Sequence, residues 1–204
     1  MVDSSGGGGV RGVVGGAAGV LSAACFLGSA LVNGLVVSNQ AAYGWLGLFG
    51  SILAIPFFWA LYYRAVRDAN RQTLQLAFIA IAIGGVLYTW LYLGAVLHHA
   101  VAPLVGETGQ GADLAAALFD KLSQVSIITG TVYFVGTFLF AANGLRRGPG
   151  PRWANWVGVV GSALTVFWFG LGILPDILAF ISAIGFILTW VWMVAHGVRM
   201  VGGA

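Results

Sequence analysis

Few side chains in this sequence can do acid, base or metal chemistry. Its 204 residues hold three histidines and six Asp or Glu. Two of the histidines are adjacent, His98-His99, and Glu107, Asp113, Asp120 and Asp176 follow them. Imidazole plus carboxylate is the ligand set of zinc and similar ions, and a metal-bound water there could attack an ester or amide at headgroup level. His98, His99, Glu107 and Asp176 are the candidate ligands. Their spacing matches no metal motif, and neighbouring residues on a helix diverge by about 100°, so the two imidazoles do not easily face one ion. The competing reading is an interfacial loop wetted by water and headgroups.

The remaining candidates are uncharged. Asn33, Thr89, Asn143 and Thr189 lie in strongly apolar surroundings and recur in pairs about a hundred residues apart. An amide or hydroxyl in a membrane needs a partner, which is a neighbouring helix or a bound molecule. These four are the candidates for a ligand site or solute pathway. The lone cysteine, Cys25, excludes an internal disulfide and a CxxC redox centre.

The elements that must position these groups are membrane spans. The composition is 59% hydrophobic and 7% charged, against about 45–50% and roughly 25% in soluble domains. Mean hydropathy is +0.94. A pI near 9.4 built from nine scattered cations is no electrostatic footprint for nucleic acid. Six stretches suffice to cross a hydrocarbon core, which takes about 20 apolar residues: 13–37, 45–63, 75–97, 123–144, 154–174 and 177–197. None contains Asp, Glu, Lys or Arg, and His196 sits at the end of the last. The fold expected is an all-α, polytopic bundle of six transmembrane helices.

Charge position gives the orientation. Arg11, Arg64, Arg67, Arg71, Arg146, Arg147, Arg152 and Arg199 all fall on one side of an even-numbered bundle, with Lys121 alone opposite. The positive-inside bias puts both termini in the cytoplasm, N-in and C-in, in the plasma or inner membrane. Tyr43, Trp45, Trp90, Tyr92 and Trp168 then fall near outer ends. Trp59, Tyr62, Tyr63, Trp153, Trp156, Trp190 and Trp192 fall near inner ones, which reads as two aromatic belts. Residues 1–12 read as a flexible cytoplasmic tail and 200–204 as a C-terminal one. Ser22-Ala23-Ala24-Cys25 faintly resembles a lipoprotein cleavage site, but Ser22 stands where Leu is usual, so the first span is read as uncleaved. In the outer loop 98–122, Leu114, Leu118, Phe119 and Leu122 share helical spacing, predicting an amphipathic helix on the outer leaflet.

The chain also matches itself. Trp45-Leu-Gly47-Leu-Phe-Gly50-Ser51 in span 2 recurs as Trp156-Val-Gly158-Val-Val-Gly161-Ser162 in span 5. Asn33-Gly34-Leu35 recurs as Asn143-Gly144-Leu145. Leu76-Ala77-Phe78-Ile79 with Thr89-Trp90 recurs as Leu178-Ala179-Phe180-Ile181 with Thr189-Trp190. Three matches in one order predict a duplication, residues 13–97 and 123–199. Because three is odd, the second copy must be inverted, as in many transporters with a pathway at the repeat interface. The small-residue faces Gly12/Gly16, Gly15/Gly19, Gly47/Gly50 and Gly158/Gly161 suit close helix packing, within the chain or with a second copy or membrane partner.

The pattern Trp153, Gly158, Gly161, Pro175, Gly185, Trp190 and Gly197 resembles the C-terminal half of a bacterial multi-pass membrane family with no assigned function. That resemblance implies a small bundle of six or seven spans and adds no catalytic residue.

Three readings follow. The first is a small transporter or channel-like protein for an apolar or neutral solute at the repeat interface. The second is a structural or accessory subunit. The third is a membrane-embedded metal-dependent hydrolase on the His98/His99 side. No cofactor is implied, and apart from the third reading no enzyme is. A membrane interior without formal charge argues against a midplane carboxylate proton relay. Retinal is excluded because Lys121, the only lysine, lies at the membrane edge. A bis-histidine haem is disfavoured because His98 and His99 lie at the opposite end from His196. The hydrolase reading predicts a stoichiometric metal in the purified protein that His98→Ala or His99→Ala removes. Elemental analysis finding none would end it.

Overall fold

The computed structural model describes the backbone of residues 6–32, 40–66, 71–105, 110–147, 150–171 and 176–203. Side chains are described over 9–32, 41–66, 71–97, 128–146, 150–167 and 183–203, with a few more between. The described residues form six helices and no strand: α1 Gly6–Leu31, α2 Gln40–Ala65, α3 Arg71–Val105, α4 Gln110–Arg147, α5 Arg152–Leu171 and α6 Asp176–Val201. Five carry described stretches long and apolar enough to cross a membrane: Gly9–Leu31, Ala41–Ala65, Arg71–Leu97, Ile128–Arg146 and Ala183–Val201. α5 has 20 residues, about 30 Å of helix, the thickness of a hydrocarbon core. The helices are those of an integral membrane protein.

Two boundaries differ from expectation. Helix α1 begins at Gly6, so residues 6–12 of the expected tail are helical, carried outward from the apolar stretch by propagation. The outer loop 98–122 is mostly helix as well. α3 runs 35 residues to Val105 and α4 runs 38 residues from Gln110, about 52 and 57 Å. The segment 112–122 is therefore the first part of α4 and not a separate surface helix. Its Ala- and Leu-rich sequence has no breaker, so the helix continues into the apolar span. The glycines of the expected loop, Gly106, Gly109 and Gly111, all precede that segment in sequence.

The helices close into a ring in sequence order, each packing on the next and α6 on α1. Every seam is antiparallel. Gly15 meets Ala60 and Gly28 meets Leu46 across α1 and α2; Gly84 meets Tyr133 and Gly136 meets Ala77 across α3 and α4. Gly16 meets Gly197, and Gly12 meets Met200, across α1 and α6. The start of α1 and the ends of α2 and α6 therefore share one end of the ring. There the Arg11 guanidinium lies 5.9 Å from the Tyr63 ring centroid. The Gly12, Gly15, Gly16 and Gly19 faces are turned toward this chain's own α2 and α6.

Outward, α2 exposes Trp45, Phe49, Ile52, Ile55 and Trp59, and α3 exposes Leu76, Ile79, Ile83 and Trp90. These are apolar stripes at helical spacing, facing where lipid would be. Trp45 and Trp90 at one end and Trp59, Trp153 and Trp156 at the other are exposed as interfacial anchors would be. Tyr92 and Trp192 are not. Both are buried, at 5% and 1% exposure, which removes them from the belts and makes them core.

The α1–α6 seam is held by backbone approach. A methyl on Gly197 would sit 2.6 Å from the Gly16 carbonyl oxygen, closer than carbon and oxygen pack. Gly197→Ala should therefore lower stability by about 1–3 kcal/mol, as overpacking does. Gly9→Ala, with no neighbour within 4 Å, should be neutral or raise it by up to about 1 kcal/mol. Thermal unfolding of the detergent-solubilised variants distinguishes the two, and equal losses would rule out this seam as the cause.

Candidate functional site

The half of the ring toward the Arg11 and Met200 end is filled by aromatic side chains. Phe57 and Phe58 of α2 are fully buried, and Trp192 of α6 nearly so. Phe58 meets Phe57 at 5.1 Å, Phe140 at 5.8 Å, Tyr133 at 5.9 Å and Trp192 at 6.0 Å between centroids. Such edge and tilted contacts each contribute about 0.5–1.5 kcal/mol beyond area burial. The result is a plug of rings packed against one another.

Beyond the plug lies a cavity. It is small, about 20 Å³, room for little more than a water molecule. The walls are aromatic and come from four helices. Phe26 comes from α1, Tyr88 and Tyr92 from α3, and Tyr133 and Phe134 from α4. α6 supplies Phe186, Thr189, Trp190 and Met193. The rings touch in series: Tyr88 on Tyr92 at 5.3 Å, Tyr92 on Phe26 at 6.2 Å, Phe26 on Trp190 at 6.4 Å, Trp190 on Phe186 at 6.0 Å, Phe186 on Phe134 at 5.1 Å, and Phe134 on Tyr133 at 5.1 Å. Tyr43 adds a fourth phenol 5.3 Å from Tyr92.

The polar atoms of this wall are few. The Thr189 hydroxyl donates to the Gly185 carbonyl at 3.0 Å, one turn back on its own helix. The Tyr133 hydroxyl is buried and has no hydrogen-bond partner. A buried hydroxyl without a partner costs about 1–3 kcal/mol, so its place beside a cavity is notable.

A second polar group sits toward the basic end, between α4, α5 and α6. The Trp192 indole N–H donates to Asn155 Oδ1 at 3.4 Å, and the His196 Nδ1 lies 3.0 Å from the Trp192 carbonyl oxygen. Asn143, Asn155 and His196 are all buried, and the Nδ2 atoms of Asn143 and Asn155 have no partner. Gly150 closes this end with φ of +108°. A Cβ there would run into the His196 imidazole, so glycine is needed twice over.

The four neutral candidates part company. Thr189 lines the cavity. Thr89 is half-buried and its hydroxyl donates to the Gly85 carbonyl at 2.8 Å. Asn143 is buried in α4 with its Nδ2 unpartnered and does not line the cavity. Asn33 lies outside the described residues. Of the metal candidates, His98 and His99 are helical positions in α3 and Asp176 begins α6, but their side chains, and Glu107 altogether, lie outside the described residues. Among the described residues no three His, Cys, Asp or Glu side chains are grouped.

Comparison with protein-family models, with curated proteins and with solved structures finds no match. The site is therefore read from its own residues. Its aromatic members Tyr88, Tyr133 and Phe186 carry no sequence motif. Trp190 was expected at the inner interface and is half-buried in the cavity wall instead. The available signal was the match of Gly85-x-x-x-Thr89-Trp90-x-Tyr92 to Gly185-x-x-x-Thr189-Trp190-x-Trp192, which carries the repeat through the aromatic positions.

Removing the indole N–H leaves Asn155 with no partner at either end of its amide. Trp192→Phe should lower stability by about 1–3 kcal/mol. Adding Asn155→Leu should recover part of that loss, since replacing both partners by apolar groups spares the desolvation cost. Unfolding curves of the two variants check this; no recovery would assign the loss to packing alone.

Proposed function

We propose that this integral membrane protein is a small carrier for a neutral solute, bound in the aromatic cavity where two inverted three-helix halves meet. The observation that carries the reading is the origin of the cavity walls. They come from α1 and α3 of the first half and from α4 and α6, their counterparts, in the second. That is where inverted-repeat transporters place their pathway. The absence of Asp, Glu, Lys or Arg from the lining residues suits an uncharged solute.

Matched contacts support the duplication. A Cβ on Gly47 of α2 would collide with the Tyr92 ring of α3, and one on Gly158 of α5 would lie 2.6 Å from the Trp192 ring of α6. Gly47 and Gly158 are 111 positions apart, Tyr92 and Trp192 are 100. Ser51 donates to the Gly47 carbonyl and Ser162 to the Gly158 carbonyl. Thr89 and Thr189 likewise bond Gly85 and Gly185. In this reading the basic end faces the cytoplasm with both termini, by the positive-inside bias, so the plug closes the inner half and the cavity lies in the outer half.

An accessory subunit is the second reading, and its docking surface would lie on the lipid-facing stripes of α2 or α3.

Labelling separates a carrier from a static bundle. Thr189 and Ser162 are both buried to 1% exposure or less, but only Thr189 lines the cavity. In a Cys25→Ala background reconstituted in liposomes, Thr189→Cys should react with N-ethylmaleimide at least about tenfold faster than Ser162→Cys. The reagent is larger than the closed cavity, so reaction reports opening. Equal, slow reaction at both positions would overturn the carrier reading.

A further inference from the structure

We infer that the solute of this cavity is a flat, uncharged ring bearing a carbonyl oxygen, the chemistry of a lipophilic quinone, with the Tyr133 hydroxyl as its hydrogen-bond donor. The inference rests on the cavity being a binding site, as proposed above, and adds the class of molecule it takes.

Three observations point the same way. The first is the Tyr133 hydroxyl, which belongs to a residue 6% exposed and has no partner. Thr189 is satisfied by its own helix, and among the described lining residues the Tyr133 hydroxyl is the one found buried without a partner. A phenol O–H is a donor, and a ligand that meets it must bring an acceptor. The second is the wall itself. Seven of its nine residues are aromatic, and aromatic side chains pair with a planar ring by offset stacking or edge contact. The closed cavity has room for little more than a water, so admitting a ring requires the wall to part.

The third is charge. No Asp or Glu lies within two helical turns of a lining residue. A carboxylate or phosphate ligand would enter an uncharged aromatic site with no cation to meet it, at a cost of several kcal/mol. An organic cation would gain from the ring faces. It would still lack a counter-charge, and it would leave the Tyr133 donor unanswered. A pure hydrocarbon would fit the walls but leave the same donor buried and unpaired. A neutral carbonyl-bearing ring satisfies walls and donor together.

Duroquinone and durene are suitable probes, being the same tetramethylated ring with and without two carbonyl oxygens. Duroquinone has no free ring position at which the Cys25 thiol could add. Binding is measured by titration calorimetry on the full chain in nanodiscs, with protein-free nanodiscs subtracted. Wild type should bind duroquinone, and Tyr133→Phe should weaken that binding about two- to tenfold, the worth of one neutral hydrogen bond. Durene should bind both proteins equally and more weakly than duroquinone binds wild type. Tyr133→Phe removes a hydroxyl that makes no bond, so it is expected to fold, and its melting temperature verifies that. Duroquinone affinity unchanged by Tyr133→Phe, or durene binding as tightly as duroquinone, would overturn the inference. So would absence of duroquinone binding, the outcome if Tyr133 meets a trapped water only. If Thr189→Cys still reacts in those cases, the ligand class fails and the carrier stands; if it does not, the carrier reading fails first.

Discussion

The structure depends on close approach between helices that have no hydrophobic reason to associate. Lipid tails are as apolar as leucine, so burial of Val and Leu against a neighbour gains little over leaving them in the bilayer. What remains is dispersion, which requires atoms within about 4 Å over a long seam. Gly16 and Gly197 bring α1 and α6 to backbone contact, Gly84 admits the Tyr133 backbone, and Gly19 admits the Phe57 ring. The packing is therefore of two kinds, small against backbone and ring into notch. Glycine against backbone occurs on α1–α6, α3–α4 and α5–α6, and ring into notch on α1–α2, α2–α3 and α5–α6.

An uncharged interior follows from the same solvent. All fifteen formal charges lie outside the six spans expected from the sequence. Several hydroxyls inside turn back on their own helices, as Ser51, Thr137, Thr165 and Thr189 do. Each such bond satisfies a donor at no cost to the helix ladder beyond a slight bend. Ser22 and Ser29 instead donate across the α1–α2 seam to the Gly50 and Tyr43 carbonyls. Longer side chains cannot fold back this way. Asparagine and tyrosine must find a partner across the bundle, and the donors left over are found on them: Tyr133 Oη, Asn143 Nδ2 and Asn155 Nδ2. Unpartnered groups thus mark where the interior has room or business beyond packing, one at the aromatic cavity and two outside its lining.

Much of the fold was legible because span length and hydropathy are coarse, additive properties. The expected spans overlie the helices, and the clustering of Arg residues anticipated which ends would meet. Orientation within a span was not legible. On a helix apolar all round, periodicity does not separate the lipid face from the core face. Trp90 and Trp192 look alike in sequence, yet one is 57% and the other 1% exposed. The outer loop failed for a related reason: a short amphipathic pattern at 112–122 reads the same whether the helix lies on a surface or leads into a span. Of the site, Thr189 was legible through its repeat at Thr89. Tyr88 and Tyr133 were not, because an aromatic in a span has many structural uses. Asn143 was found by its repeat but is buried outside the cavity lining, and no repeat singled out Asn155, which bonds Trp192.

The proposed duplication makes the open and closed parts of the ring one question. Inversion places the equivalent of an outer position at an inner one. Tyr92, in its Gly47 notch, borders the cavity; Trp192, in the matching Gly158 notch, belongs to the plug. On this reading equivalent joints border the cavity in one half and the plug in the other. Exchanging the two roles would open the inner side and close the outer without any new type of contact. Two states built from equivalent contacts differ by little in packing energy, and a gap of a few kcal/mol is within what a bound solute can shift through differential affinity. Because Tyr and Trp are not identical, the two states are not degenerate. Among the described residues only the indole has a partner across the bundle, its N–H on Asn155, and that bond distinguishes the two joints. A neutral solute supplies no electrostatic drive, so on the proposed reading net movement would follow its gradient.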